Sequence, residues 1–128
     1  MTPTELLDDI YHDHDEITGV VRALRAALDA GDYGGARSLL ISLQEIEVRH
    51  YATEDALMRA VAYDDADTHR TEHAALLETL GRINQALALE SPTAISPRIV
   101  GHLEAALGHM MNADDRLNRF VLARVVGP

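Results

Sequence analysis

The 128-residue sequence predicts an all-α fold, an up-down-up-down antiparallel four-helix bundle, from three observations. Four segments, each more than twenty residues long, carry apolar residues at alternating steps of three and four. Three clusters of helix-breaking residues separate them: DAGDYGG (29–35), YDDADT (63–68) and ESPTAISP (90–97). No stretch alternates as a strand would, and no internal repeat is present. A chain of this length makes one domain, 1–128, with a real hydrophobic core.

The first helix opens with Thr2-Pro3-Thr4-Glu5, which offers an N-cap threonine, proline at the first helical position and glutamate at the third. Its stripe is Leu7, Ile10, His14, Ile17, Val21, Leu24 and Leu28. The second helix carries Leu39, Leu43, Ile46, His50, Glu54, Leu57 and Val61. The third starts near Asp67 or Thr68 and carries His69, His73, Leu76, Leu80, Ile83 and Leu87. The fourth is capped at Ser96-Pro97 and carries Leu103, Ala106, His109, Ala113, Leu117 and Phe120.

Composition narrows the function. The net charge is −10 and every basic residue is arginine, which argues against nucleic acid or an anionic membrane as partner and suits a protein that holds cations. The acidic run Asp8, Asp9, Asp13, Asp15 and Glu16 reads as a solvated helix face. With no cysteine, disulfides, thiolate catalysis and cysteine-ligated metal sites are excluded. No run of eighteen apolar residues and no basic-then-apolar leader is found, so the expected location is the cytoplasm.

The polar residues inside the stripes carry the chemistry. His14 and His50 each lie 18 residues from position 32, so antiparallel helices bring them to one level. The third connection pairs His73 with Asp114 in the same way, and Glu54 falls within about one turn of His73 across the second. A lone histidine on an apolar stripe is ordinarily a core residue bonded to a carbonyl. Five at one level with two carboxylates are different, since each unpartnered buried group costs roughly 1–3 kcal/mol. A domain whose net stability is only ~5–15 kcal/mol needs something to compensate them. A bound metal does so.

The spacings are His50-x3-Glu54, His69-x3-His73 and His109-x4-Asp114, with His14 alone. Side chains four apart share a helix face and reach a common centre. Seven ligands exceed the needs of one ion. Two octahedral ions offer twelve positions; five imidazoles, two bridging carboxylates and one oxo or hydroxo bridge fill all but one, which is left for a small exogenous ligand. Imidazole with carboxylate suits iron, zinc prefers fewer ligands, and affinity alone leaves copper and manganese open.

With these residues in place the sequence resembles the hemerythrin family, including its HHE-type cation-binding branch. The family pattern of a lone His, then H-x3-E, H-x3-H and H-x4-D, is met in order by His14, His50 and Glu54, His69 and His73, and His109 and Asp114. The contexts HYATEDALM and HRTEHAALL are also similar to the family's motifs. The resemblance implies two iron ions with an oxo or hydroxo bridge, one held by His69, His73 and His109, the other by His14 and His50, with Glu54 and Asp114 bridging. It implies reversible dioxygen binding at the open position of the two-histidine iron, for storage, delivery or sensing. The alternatives are a di-iron enzyme acting on peroxide or nitric oxide, and a redox- or iron-sensing module with a separate protein partner.

Departures from the family pattern bear on the pocket. Tyr11 and Asp64 replace Asp and Pro, and Ala105 and Ala106 stand where oxygen carriers have bulky side chains beside the O2 pocket. Tyr51 and Met110 are expected to line the same pocket, and His102 to stand above the site as an outer neighbour. A looser pocket implies easier access for water and protons, hence faster autoxidation, or room for a ligand larger than O2. No residue reads from the sequence as a placed general acid. His12 reads as surface, and Met58 and Met110 as core fillers.

Overall fold

The computed structural model describes residues 1–89 and 97–125, apart from the side chains of 87, 89 and 97. Four helices run in order, α1 (Pro3–Asp29), α2 (Tyr33–Val61), α3 (Ala66–Leu89) and α4 (Pro97–Val125), and among the described residues there is no strand. They form the expected antiparallel bundle. Each helix packs on its two neighbours in the ring, and α2 also touches α4 across the centre. Among the described residues, α1 and α2 pack most closely and α3 and α4 most sparsely of the four neighbouring pairs.

Local chemistry sets the helix ends. The Thr2 hydroxyl accepts from the Glu5 N–H at 3.2 Å, with Pro3 opening α1. The first connection is shorter than DAGDYGG suggests, because α2 begins inside it at Tyr33. Asp32 caps that helix by accepting from the Gly35 N–H at 3.0 Å. A Cβ on Gly35 would lie 2.3 Å from Asp32 Oδ2 and would push that carboxylate out of its capping position, while Gly31 makes the reversal at φ 72°. At its other end α2 closes on Ala62 in the left-handed region, φ 51°, and the Tyr63 N–H donates to the Met58 carbonyl at 3.0 Å. α3 starts at Ala66, just before the expected Asp67 or Thr68. The expected cap at Ser96 and the side chain of Leu87 lie outside the described residues.

The core has two apolar compartments. Leu6, Leu7, Ile10, Leu57, Met58, Val61, Leu117 and Val121 fill one. Ile17, Leu24, Leu40, Leu43, Leu76, Leu80, Leu103 and Met110 belong to the other, with Tyr51. Of the buried polar residues, Asp13, Glu47, His50, Glu54, His69, His73 and Asp114 occur on the stretches of α1 to α4 that join the two, while Asn118 follows Leu117 of the first compartment.

Helix α4 departs from its predicted stripe. Its buried face runs Val100, Leu103, Leu107, Met110, Ala113, Asp114, Leu117, Asn118 and Val121, so Ala106 and Phe120 are only half-buried and His109 is exposed. A helix turns ~100° per residue, so five residues separate side chains by about 140°. When Asp114 faces the centre, His109 is carried to the flank.

Candidate metal centre

Four imidazoles from three helices aim their Nε2 atoms at two carboxylates. Asp114 Oδ2 lies 2.9 Å from His14 Nε2 and 3.1 Å from His50 Nε2, while its Oδ1 lies 3.1 Å from His69 Nε2 and 3.9 Å from His73 Nε2. Glu54 repeats the pattern: Oε1 lies 2.7 Å from His50 and 3.4 Å from His73, and Oε2 lies 3.0 Å from His69. Each carboxylate thus spans the His14/His50 pair and the His69/His73 pair. The i,i+4 spacings on α2 and α3 bring His50 beside Glu54 and His69 beside His73, whose rings are 4.3 Å apart. The matched distances from residue 32 bring His14 and His50 to ring centroids 4.9 Å apart.

Two donor groups result, Glu54, His69, His73 and Asp114 on one side and His14, His50 and Asp114 on the other, with all donor atoms of each group within 4.8 Å of one another. These residues fit a pair of metal ions. Glu54 Oε1, Asp114 Oδ1 and His73 Nε2 are buried without a hydrogen bond of good geometry, although they face one another closely. Ligands 2.1 Å from one ion at right angles stand about 3 Å apart, close to the separations found here.

The charges are strongly coupled. For His50 burial opposes protonation, but the facing Asp114 and Glu54 carboxylates outweigh it and push the imidazole up to about 11. His69 is likewise raised to about 9 against its burial, and His73 is raised by the same partners. Burial works against ionisation of Asp114 and Glu54, yet the surrounding imidazoles hold both carboxyls below their ordinary range. Protons on His50 and His69 therefore offset the carboxylates in the metal-free chain, and metal ions must displace them.

The sequence places Asp13 on a solvated acidic face, which the structure corrects, and it does not single out Arg49 or Glu47. Asp13 is buried, and its Oδ2 accepts from His50 Nδ1 at 3.2 Å; because a carboxylate only accepts, this turns the other nitrogen of His50 inward. Arg49 donates to Asp13 Oδ1 at 3.0 Å and to Glu16 Oε2 at 2.6 Å, so the contact is braced from the surface. Glu47 is buried one turn before Tyr51, and burial raises its carboxyl against the opposing influence of Tyr51 and His50. The inward i−1 and i−3 positions relative to His14 and His50 were the available signals, and the surrounding charge run concealed them.

The other expected residues are placed as follows. The Tyr51 ring is buried and stacks on His73 at 3.7 Å between centroids, and burial raises its phenol. Ala106 and Met110 line a cavity of about 180 Å³ between α3 and α4, with Leu76 and Thr79. Ala105 is exposed and does not line it. His102 is exposed beside Thr79 and Leu103, further along the same pair of helices, and His12 is on the surface. His109 lies apart from both donor groups, its side chain 65% exposed and its Nε2 3.6 Å from Glu72 Oε1.

The result is an all-α bundle whose buried histidines and two shared carboxylates form a cluster capable of binding two metal ions. The chain belongs to the hemerythrin HHE cation-binding domain family, whose model matches residues 5–121. Neither curated proteins nor solved structures gave a match. Among the described residues, no helix is long and apolar enough to cross a membrane.

Proposed function

We propose that this chain is a non-haem di-iron protein that binds dioxygen reversibly, for storage, delivery or sensing. The observation that carries the reading is the sharing of Asp114 and Glu54 between two histidine pairs, an arrangement suited to two ions rather than one. His14 and His50 would serve one ion and His69 and His73 the other, with His109 as a seventh ligand and an oxo or hydroxo bridge between the ions. Bound as a ferrous pair, iron supplies the two electrons that dioxygen takes up and returns.

The chain's own residues orient and shield. Asp13 keeps His50 Nε2 pointed at the centre, and Tyr51 covers one face of His73. Leu57, Met58 and Leu117 on one side, and Leu43 and Leu76 on the other, keep water from the layer. Neutral imidazoles outnumber carboxylates in the site, and they push less charge towards cleaving an O–O bond than a carboxylate-rich set does.

A second reading, an enzyme acting on peroxide or nitric oxide, draws support from Glu47. Its carboxyl is buried, which raises it from the ordinary carboxylate range, and it stands one turn from His50 and Tyr51. The iron-loaded protein, reduced without air and then exposed to O2, separates the two. A visible charge-transfer band that appears with O2 and disappears under argon, restoring the colourless protein, supports reversible binding. Irreversible passage to the oxidised spectrum supports the enzyme or a redox sensor.

A further inference from the structure

Three observations meet at one place on the α3–α4 side. His109 projects outward with its Nε2 3.6 Å from Glu72 Oε1. Glu72, one residue before His73, also holds a buried Oε2 that has no hydrogen-bond partner, although its side chain is 25% exposed overall. Both residues line the 180 Å³ cavity whose remaining walls include Ala75, Ala106 and Met110, all small or flexible. Every other histidine of the family pattern already points into the layer.

We infer that His109 is a detachable ligand and that Glu72 competes with the metal for it. The inference rests on the two-metal reading above. The six residues His14, His50, Glu54, His69, His73 and Asp114 form a site that exists before metal arrives, so ions are captured by them first. His109 joins afterwards, leaving Glu72, and the cavity provides the space for its ring to turn. Glu72 is thereby an affinity-setting residue that touches no ion. Its hold on His109 weakens only the step in which His109 is recruited. Its own negative charge also attracts cations through space, with the opposite sign, so the two effects need separating.

A double-mutant comparison separates them. Metal-free wild type, Glu72→Gln, His109→Ala and the double variant are titrated with Zn(II), which has no redox chemistry, against a chelator of known affinity. In the His109→Ala background, Glu72→Gln changes only the through-space attraction and weakens zinc slightly at both steps. In the wild-type background it also releases His109, so one step is tighter by about two- to fivefold relative to that baseline, the range expected for a surface ion pair. Proton NMR of the His109 ring, assigned by its loss in His109→Ala, gives a readout on the metal-free chain: Glu72→Gln shifts it before zinc is added, and zinc shifts it again.

If wild type binds two zinc ions but Glu72→Gln has the same effect with and without His109, the inference falls and the two-metal reading stands. An unmoved His109 resonance on full zinc loading overturns it equally. If wild type binds fewer than two ions, the two-metal reading itself fails. Both substituted side chains lie at the surface edge, and circular dichroism checks that the four helices persist.

Discussion

The two sides of the polar layer are built differently. On the α1–α2 side, His50 is held from behind by Asp13, which is held by Arg49, which is held by Glu16, and these two helices make the most closely packed pair in the bundle. On the α3–α4 side the helices pack sparsely, a cavity intervenes, His109 is exposed and Glu72 has a buried oxygen without a partner. One half of the centre is braced before any ion arrives, and the other has slack. Under the proposed dioxygen-binding function, a rigid half would fix geometry and an adjustable half would admit change.

The comparison can be tested from its strongest joint outward. Asp114 faces four histidines, two on each side, so Asp114→Ala should abolish binding of both ions, measured by metal analysis after dialysis. In the metal-free chain it leaves buried cationic imidazoles short of a partner, and about 3–5 kcal/mol of stability should be lost in urea unfolding.

The two sides should also differ in pH response. The folded-state values of His50 and His69 are raised from 6.5, so their contribution to stability is complete below 6.5 and is lost as pH rises through about 9 for His69 and about 11 for His50. Asp114 and Glu54 are depressed, so theirs is present above 3.8 and 4.5 and is lost as pH falls. Metal-free protein should therefore be most heat-stable between pH 4.5 and 6.5, with a falling Tm above that window. NMR titration should show His69 deprotonating first. Loss of protons from both at one pH would remove the asymmetry.

Removing the brace is a smaller perturbation. Asp13→Ala should weaken metal binding by roughly 10–100-fold, the range typical of an outer partner to a ligating histidine, and mainly at the His14/His50 ion. Equal weakening of both ions in a zinc titration would break the comparison. Smallest of all, Arg49→Ala removes an exposed cation that braces Asp13, and a stability change of no more than about 1 kcal/mol is expected by denaturant melts.

Much of this was legible in the sequence for a simple reason. Spacing of four on a helix, and equal distance from a turn, are geometric statements that survive without a structure, so the meeting of His14, His50, Glu54, His69, His73 and Asp114 could be read directly. The rotation of α4 could not. Residues 103 to 121 contain apolar side chains over a wide arc, and both 103-106-109-113 and 103-107-110-114 satisfy a helical period. Only packing against three other helices chooses between them. Asp13 was hidden for another reason: its burial depends on His50, a partner on the neighbouring helix that leaves no mark on local pattern, whereas Glu47 has His50 and Tyr51 one turn away on its own helix.

The arrangement of dry, charged and dry zones along the bundle axis has a consequence for folding. Two leucine-rich helices can slide past each other by a turn, about 5.4 Å, with little loss of contact. Here such a slip would set His69 or Asp114 against leucine and leave Glu54 facing a methyl group. A mispaired bundle would thus bury isolated charge, whereas the correct vertical alignment cancels it. The polar layer acts as a key that the chain must match in order to close, and it does so before an ion has been bound.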